Sequence, residues 1–268
     1  MMKFLLLPML LPFLMAMTMS GCEDEDGDGG GRFRTTASVH YYNQMTTQGA
    51  EDQSTLTVDV TLEGEDESDS ATGIGYSRGD EGPELSVRID DTNDNEDNSV
   101  LLEGVNSSGA RLFRTSERLS NDSRYTAVSY GDTSDGGGTG VVVILQDQSD
   151  VTSGSSRFRV INTVEPINVG AHSFDLRYND AGSGNYFASD LERGGDSGYQ
   201  TTNAGGLNLV VVSNGFSTER ILARVDCSLS GGRAYDVILA ANDPLNPPLT
   251  EGEAEDGLVI YCHPHERD

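Results

Sequence analysis

The sequence predicts an all-β protein made of two tandem sandwich domains, and three observations predict it. Apolar residues alternate with polar ones at a period of two, turn-forming residues interrupt the chain at short intervals, and the second half repeats the first. In Leu56, Val58, Val60 and Leu62 the apolar side chains alternate with Thr57, Asp59 and Thr61. Leu85, Val87 and Ile89 alternate with Ser86, Arg88 and Asp90, and Ala223, Val225, Cys227 and Leu229 with Arg224, Asp226 and Ser228. Successive side chains of a strand point to opposite faces, so each run reads as a strand with one face on a core and one in water. The 32 glycines exceed the ordinary share of about 7% and, with Asn and Asp, mark turns between the runs. Helical periodicity persists nowhere for three turns.

The internal repeat sets the domain limits. Arg32-Phe33-Arg34 matches Arg157-Phe158-Arg159, and Leu56-Thr57-Val58-Asp59-Val60 matches His172-Ser173-Phe174-Asp175-Leu176, each with one Asp between apolar residues. LSNDSRYTAVSYGD from Leu119 aligns with LSGGRAYDVILAAND from Leu229, pairing Leu119 with Leu229 and Tyr125 with Tyr235. Each match is followed by a loop and a last apolar strand, Gly140 to Ile144 and Gly257 to Tyr261. Several short strands per half, punctuated this way, predict an immunoglobulin-like sandwich over residues 32–150 and another over 151–268.

The N-terminal segment reads as an export signal. Lys3 is followed by the apolar run Phe4 to Met17, too short and too Pro-rich for a permanent span of roughly 20 residues. Met19-Ser20-Gly21-Cys22 resembles a bacterial lipobox, which implies cleavage after residue 21 and acylation of Cys22. Two or three acyl chains, at about 0.8 kcal/mol per buried methylene, anchor a protein where one chain is marginal. Residues 22–31 then form an acidic, Gly-rich tether without an apolar side chain other than that of Cys22. With Cys22 assigned to the anchor, Cys227 and Cys262 remain, and in an oxidising compartment they are expected to form a disulfide.

The net charge of −27 excludes nucleic acid as a partner, since phosphate backbones call for a basic face. Lys3 is the only lysine; every other cationic side chain is Arg, and a surface so acidic suits high ionic strength.

The segment RFRVINTVEPINVGAHSFDLRY, Arg157 to Tyr178, follows VVVILQDQSDVTSGSS and a Leu-Ser-x-x-x-x-Tyr-Thr-x-Val strand. Together they resemble the tandem repeats of domain-of-unknown-function family 4397, in which an R-V-x-x-x strand and a V-D-V strand flank a Pro-containing loop. Arg159, Pro166 and Asp175 fall on that pattern, whereas the first half lacks the proline. The resemblance covers most of residues 32–262. It implies a secreted or surface-attached bacterial protein and implies no established activity.

Candidate chemistry is sparse. Asp91, Asn93 and Asn95 have the alternating spacing of a calcium loop, but Glu96 stands where the sharp-turn glycine belongs, so a solvated hairpin loop is expected and Ca2+ is the weaker alternative. His263 and His265 offer two imidazoles close to the C-terminus, expected to lie on a frayed polar tail rather than in a metal site. Gly195-Asp196-Ser197-Gly198 resembles the nucleophile segment of trypsin-like proteases, yet Tyr199 replaces the next glycine and none of the four histidines has the matching setting, so a turn is expected. Asp59 and Asp175 are expected to face solvent or cap a turn. No coherent acid, base and nucleophile set emerges and no cofactor is implied. The sequence therefore points to a non-enzymatic, lipid-anchored envelope protein that displays two sandwiches for protein or matrix contacts. It is expected at the outer membrane, facing the periplasm or the surface. The alternative is an envelope module binding polysaccharide or a divalent cation, although the absence of Trp disfavours a sugar platform.

Overall fold

The computed structural model describes residues 34–48, 56–79, 82–90, 99–134, 138–165, 173–214 and 217–265. They belong to one compact unit, Arg32–Asp268. The first half contributes β1 (Arg34–Thr46), β2 (Val58–Glu63), β3 (Ser68–Ile74), β4 (Glu84–Asp90), β5 (Ser99–Asn106), β6 (Arg111–Arg118), β7 (Arg124–Asp132) and β8 (Gly140–Leu145). The second contributes β9 (Ser155–Asn162), β10 (Phe174–Tyr178), β11 (Ala188–Leu191), β12 (Gln200–Asn203), β13 (Gly205–Ser213), β14 (Arg220–Leu229), β15 (Arg233–Ala241) and β16 (Leu258–Pro264). A short helix, α1 (Glu251–Gly257), precedes β16. Glu253 accepts the Thr250 N–H at 3.1 Å and so caps its first turn.

Strand order repeats between the halves. The first has sheets β4-β1-β7-β8 and β3-β2-β5-β6; the second has β12-β9-β15-β16 and β11-β10-β13-β14, the same arrangement eight strands later. In each half the first strand runs parallel to the seventh and the other pairings are antiparallel. The all-β, two-sandwich class thus holds, and eight strands per half in two layers match an immunoglobulin-like build.

The alternating runs behave as their pattern requires. Val58, Val60, Leu62, Leu85, Val87 and Ile89 are buried in the first core with Val39, Tyr41, Leu102 and Phe113. Phe158, Phe174, Leu176, Leu209, Val225 and Leu239 belong to the second. β7 and β15 differ, being buried along almost their whole length because both of their faces are covered.

Detailed contacts repeat as well. The Ser120 N–H donates to Tyr125 Oη at 2.8 Å, and the Ser230 N–H to Tyr235 Oη at 2.8 Å, so the alignment of these segments reflects one shared corner. Asp59 and Asp175 are turn caps: Asp59 accepts the N–H of Gly73 at 2.7 Å, and Asp175 that of Asp190 at 3.0 Å. Gly73 and Asp190 both have left-handed backbone, φ 67° and 57°, where β-strand pairing slips by a residue. One expected match fails. β1 sets Val39 opposite Tyr125, and β9 sets Phe158 opposite Tyr235, so the counterpart of Arg159 is His40 rather than Arg34.

Candidate functional site: the seam between the two sandwiches

A third apolar cluster lies between the two cores. Tyr42 and Val128 from the first half meet Ile161, Ile238 and Ala240 from the second, flanked by Val142, Ile144, Val259 and Tyr261. All of these come from sheets β4-β1-β7-β8 and β12-β9-β15-β16, so each repeat buries the same sheet against the other. Same-surface packing is the arrangement of an isologous dimer, realised here within one chain.

The polar end of this seam gathers the most deeply buried charges described. Asp236 and Arg159 are only 1% and 2% exposed. The Arg159 Nε–H donates to Asp236 Oδ1 at 2.5 Å, and His265 Nε2 lies 3.1 Å from Oδ2. Across the seam, the Thr126 hydroxyl donates to Asp236 Oδ2 and accepts from Gln146 Nε2 at 2.9 Å. Arg159 also donates to the Leu145 carbonyl at 2.8 Å and stacks 4.8 Å from the Tyr199 ring centre. Tyr199 Oη accepts the Asp147 N–H at 3.0 Å, and His265 Nδ1 sits 3.3 Å from the Asp147 carbonyl. Burial alone disfavours ionised Asp236, but the His265 hydrogen bond and the Arg159 charge outweigh it and hold the carboxyl well below the usual range. Burial also opposes the Arg159 charge, and Asp236 overcomes it, so the guanidinium is held more firmly protonated than usual.

Equivalent positions meet at this point. Register places Thr126 where Asp236 stands, and Gln146 where His265 stands; the Gln146 N–H donates to the Arg124 carbonyl at 2.8 Å as the His265 N–H does to the Ala234 carbonyl at 2.9 Å. One repeat therefore supplies His40, Thr126 and Gln146, and the other supplies Arg159, Asp236 and His265 at the same stations. Beside the cluster opens a cleft of about 390 Å³ lined by Arg124, Gln146, Asp147, Asp150, Arg233 and His265.

A second buried pair fixes the far sheet of the second half. Arg177 donates to Glu219 Oε1 at 2.8 Å, and Tyr186 donates to Oε2 at 3.0 Å. The hydrogen bond from Arg177, with those from Ser183 and Tyr186, pulls the Glu219 carboxyl down to about 2.

The residues singled out in the sequence fare unequally. Cys227 and Cys262 lie at disulfide distance, with Cα atoms 6.4 Å apart, and bridge β14 to β16. His263 and His265 are not on a frayed tail: β16 carries His263 under the Tyr42 ring, centroids 4.0 Å apart, and the chain continues paired to β15, so both are buried. The polar neighbours of His265 are the Asp236 carboxylate and the Asp147 carbonyl, and no group of three or more metal-ligating side chains occurs among the described residues. In the Gly195–Gly198 segment, Ser197 Oγ accepts the Val160 N–H at 2.8 Å and Asp196 accepts the Gly198 N–H at 2.8 Å, a turn held by its own side chains. Cys22, Asp91, Asn93 and Asn95 lie outside the described residues. Sequence reading missed Asp236, Thr126 and Gln146. The available signal was a single carboxylate inside the otherwise apolar run Tyr235 to Ala241, a placement that demands a partner. No helix among the described residues is long and apolar enough to cross a membrane.

No family model and no curated protein matches the chain. Among solved structures there is a likeness to a "putative cell adhesion protein" from Bacteroides eggerthii, at 8% identity and a TM-score of 0.22, covering 87% of this chain and 96% of that one. A likeness of that size carries no argument about function.

Proposed function

We propose that this chain is a lipid-anchored, non-enzymatic envelope protein whose two sandwiches form one rigid display body for contacts with other proteins. The observation that carries the reading is the use made of the buried charges. Arg159 and Asp236 are buried and, with His265, are spent on one another and on Thr126 of the other repeat across the seam. Such a network costs desolvation, and its attested use is to fix a register between packed parts. The export run and the Ser20-Gly21-Cys22 sequence support an acylated anchor, and the acidic segment after it supports a spacer. The outer membrane, facing the periplasm or the surface, is the location that fits such a display body.

Metabolic labelling with a palmitate analogue tests the anchor and protease shaving of intact cells tests the display. The expected result is label on the parent, loss of label in Cys22→Ala, and release of the latter from the membrane. A labelled C22A protein, or a parent that never takes label, overturns the anchored reading.

A further inference from the structure

The seam holds a hydroxyl and a primary amide at a distance suited to reaction. β7 buries Thr126 completely, and Gln146, just beyond β8, is 6% exposed. Gln146 Nε2 donates to Thr126 Oγ at 2.9 Å. The amide carbon, one bond of about 1.3 Å further on, therefore lies no more than about 4.2 Å from that oxygen. Attack on a carbonyl carbon begins at about 3–3.5 Å, a small shift away. The hydrogen bond keeps Oγ near the amide plane, whereas attack comes from above it. Turning the amide about χ3, a broad and soft torsion in Gln, presents the face of the carbon.

The remaining requirements come from the other repeat. An alcohol is a weak nucleophile until a neighbouring base takes its proton. The Thr126 hydroxyl donates to Asp236 Oδ2, and that carboxylate is fixed by Arg159 and by His265, 3.1 Å away. Arg159 also donates to the Leu145 carbonyl at 2.8 Å, which sets a positive charge beside the peptide bond leading into Gln146. Such a charge favours the negative charge that gathers on the amide oxygen during attack. Gln146 and His265 both line the cleft beside the seam, an exit for a small leaving group.

The position has a mechanical meaning as well. β8 is hydrogen-bonded to β7 alone, and the chain leaves it at Gln146 for the second repeat. A pull on that connection peels β8 from β7 starting at the Tyr125/Leu145 pair, beside Thr126. The second repeat ties its last strand, β16, to β14 through Cys227 and Cys262, whereas residues 32–150 contain no cysteine.

We propose that Thr126 and Gln146 join through an ester in a single intramolecular reaction promoted by Asp236. Thr126 Oγ bonds to Gln146 Cδ as its proton passes to Asp236 Oδ2. The Cδ–Nε2 bond then breaks as Asp236 returns the proton to nitrogen, and ammonia leaves through the cleft. The carboxylate ends as it began, no oxidant or cofactor is consumed, and each chain reacts once. The first repeat carries the two reacting groups and the second carries the residues that promote the reaction, so the bond forms only once the seam has closed. Thr126 contributes its hydrogen bond before the reaction and a covalent tie after it.

Peptide mass tests it on the full chain. After unfolding, trypsin releases Tyr125–Arg157, which holds both residues and no Asn whose own loss of ammonia would confuse the mass. The parent peptide is expected to be lighter by one ammonia, and cutting it further at Asp132 and Asp135 is expected to leave the Thr126 and Gln146 fragments joined. Hydroxylamine, which cleaves esters and spares amides, should then release them. Thr126→Val and Gln146→Glu are expected to give unjoined peptides of full calculated mass, and Thr126→Ser, which keeps the hydroxyl, the joined one. In chains followed after a pulse of isotope label, Asp236→Asn is expected to slow joining at least about a hundredfold while circular dichroism stays native. Three results overturn the proposal: a parent peptide of full mass, a light peptide whose fragments separate without hydroxylamine, or a folded D236N that joins as fast as the parent. None of these readouts involves Cys22, so the anchored reading stands or falls separately.

Discussion

The two repeats share a framework and differ at their meeting surface. Tyr125 and Tyr235 hold the same corner, Asp59 and Asp175 cap the same left-handed bulge, and the Asn43 and Asn162 side chains both accept the backbone N–H two residues on. These contacts build one sandwich, and each sandwich needs its own set. At the seam the stations diverge: Thr126 against Asp236, Gln146 against His265, His40 against Arg159. A charged network placed on both sides would set like charges against each other; placed on one side, it finds hydroxyl, amide and carbonyl partners on the other. The framework residues thus serve the same role in both repeats, while the seam residues form unlike halves of one joint.

The largest expected effect comes from breaking the charged half of that joint. Asp236→Asn leaves Arg159 and His265 facing a neutral amide in a dry site, and a loss of about 3–5 kcal/mol in urea unfolding is expected. Its counterpart, Thr126→Val, removes one donor from a carboxylate that keeps two others, and about 1–2 kcal/mol is expected. Equal losses in the two variants would remove the asymmetry.

The disulfide is the next term. Closing 35 residues between Cys227 and Cys262 contributes about 4 kcal/mol at most in the chain-entropy account, and strain reduces such values. C227S/C262S is therefore expected to lower the midpoint of thermal unfolding under oxidising conditions only, since reductant should bring the parent to the same value. Smaller again are Tyr125→Phe and Tyr235→Phe, each expected to cost about 1 kcal/mol for the lost hydrogen bond. Similar costs would confirm a shared corner; a silent Y125F would show that only one repeat relies on it.

Acid adds a further comparison. The Asp236 and Glu219 carboxyls are held lower in the folded protein than in the unfolded chain. Their contribution is therefore complete above the unfolded carboxylate value of about 4 and is lost as pH falls below it. For Glu219 that loss continues down to about 2. D236N is expected to show a shallower fall in stability than the parent between about pH 4 and 2, with the starting value already lower.

Much of the fold was legible because it depended on solvent. β2, β4 and β14 alternate in sequence because one face of each meets water. β7 and β15 were recognisable as apolar strands, but their second buried face has no signature until the partner sheet is known. The Arg34 to Arg159 match misled for a related reason: shifting a strand by an even number of residues leaves every side chain on its face, so alternation cannot reject a wrong register. Of the seam, the buried Asp236 was visible as an oddity in an apolar run, whereas Thr126 and Gln146 look like ordinary surface residues in the sequence. The disulfide was readable from compartment and count alone, without geometry.

If the seam makes the two repeats one body, they unfold together, and the absence of native Trp allows a single reporter in each. Leu112→Trp marks the first sandwich and Phe187→Trp the second, both at partly buried positions packed on their cores. In urea the two reporters are expected to unfold at one midpoint, and to separate when D236N is added. Distinct midpoints for the two reporters in the parent protein would show that the seam does not join the repeats into one body.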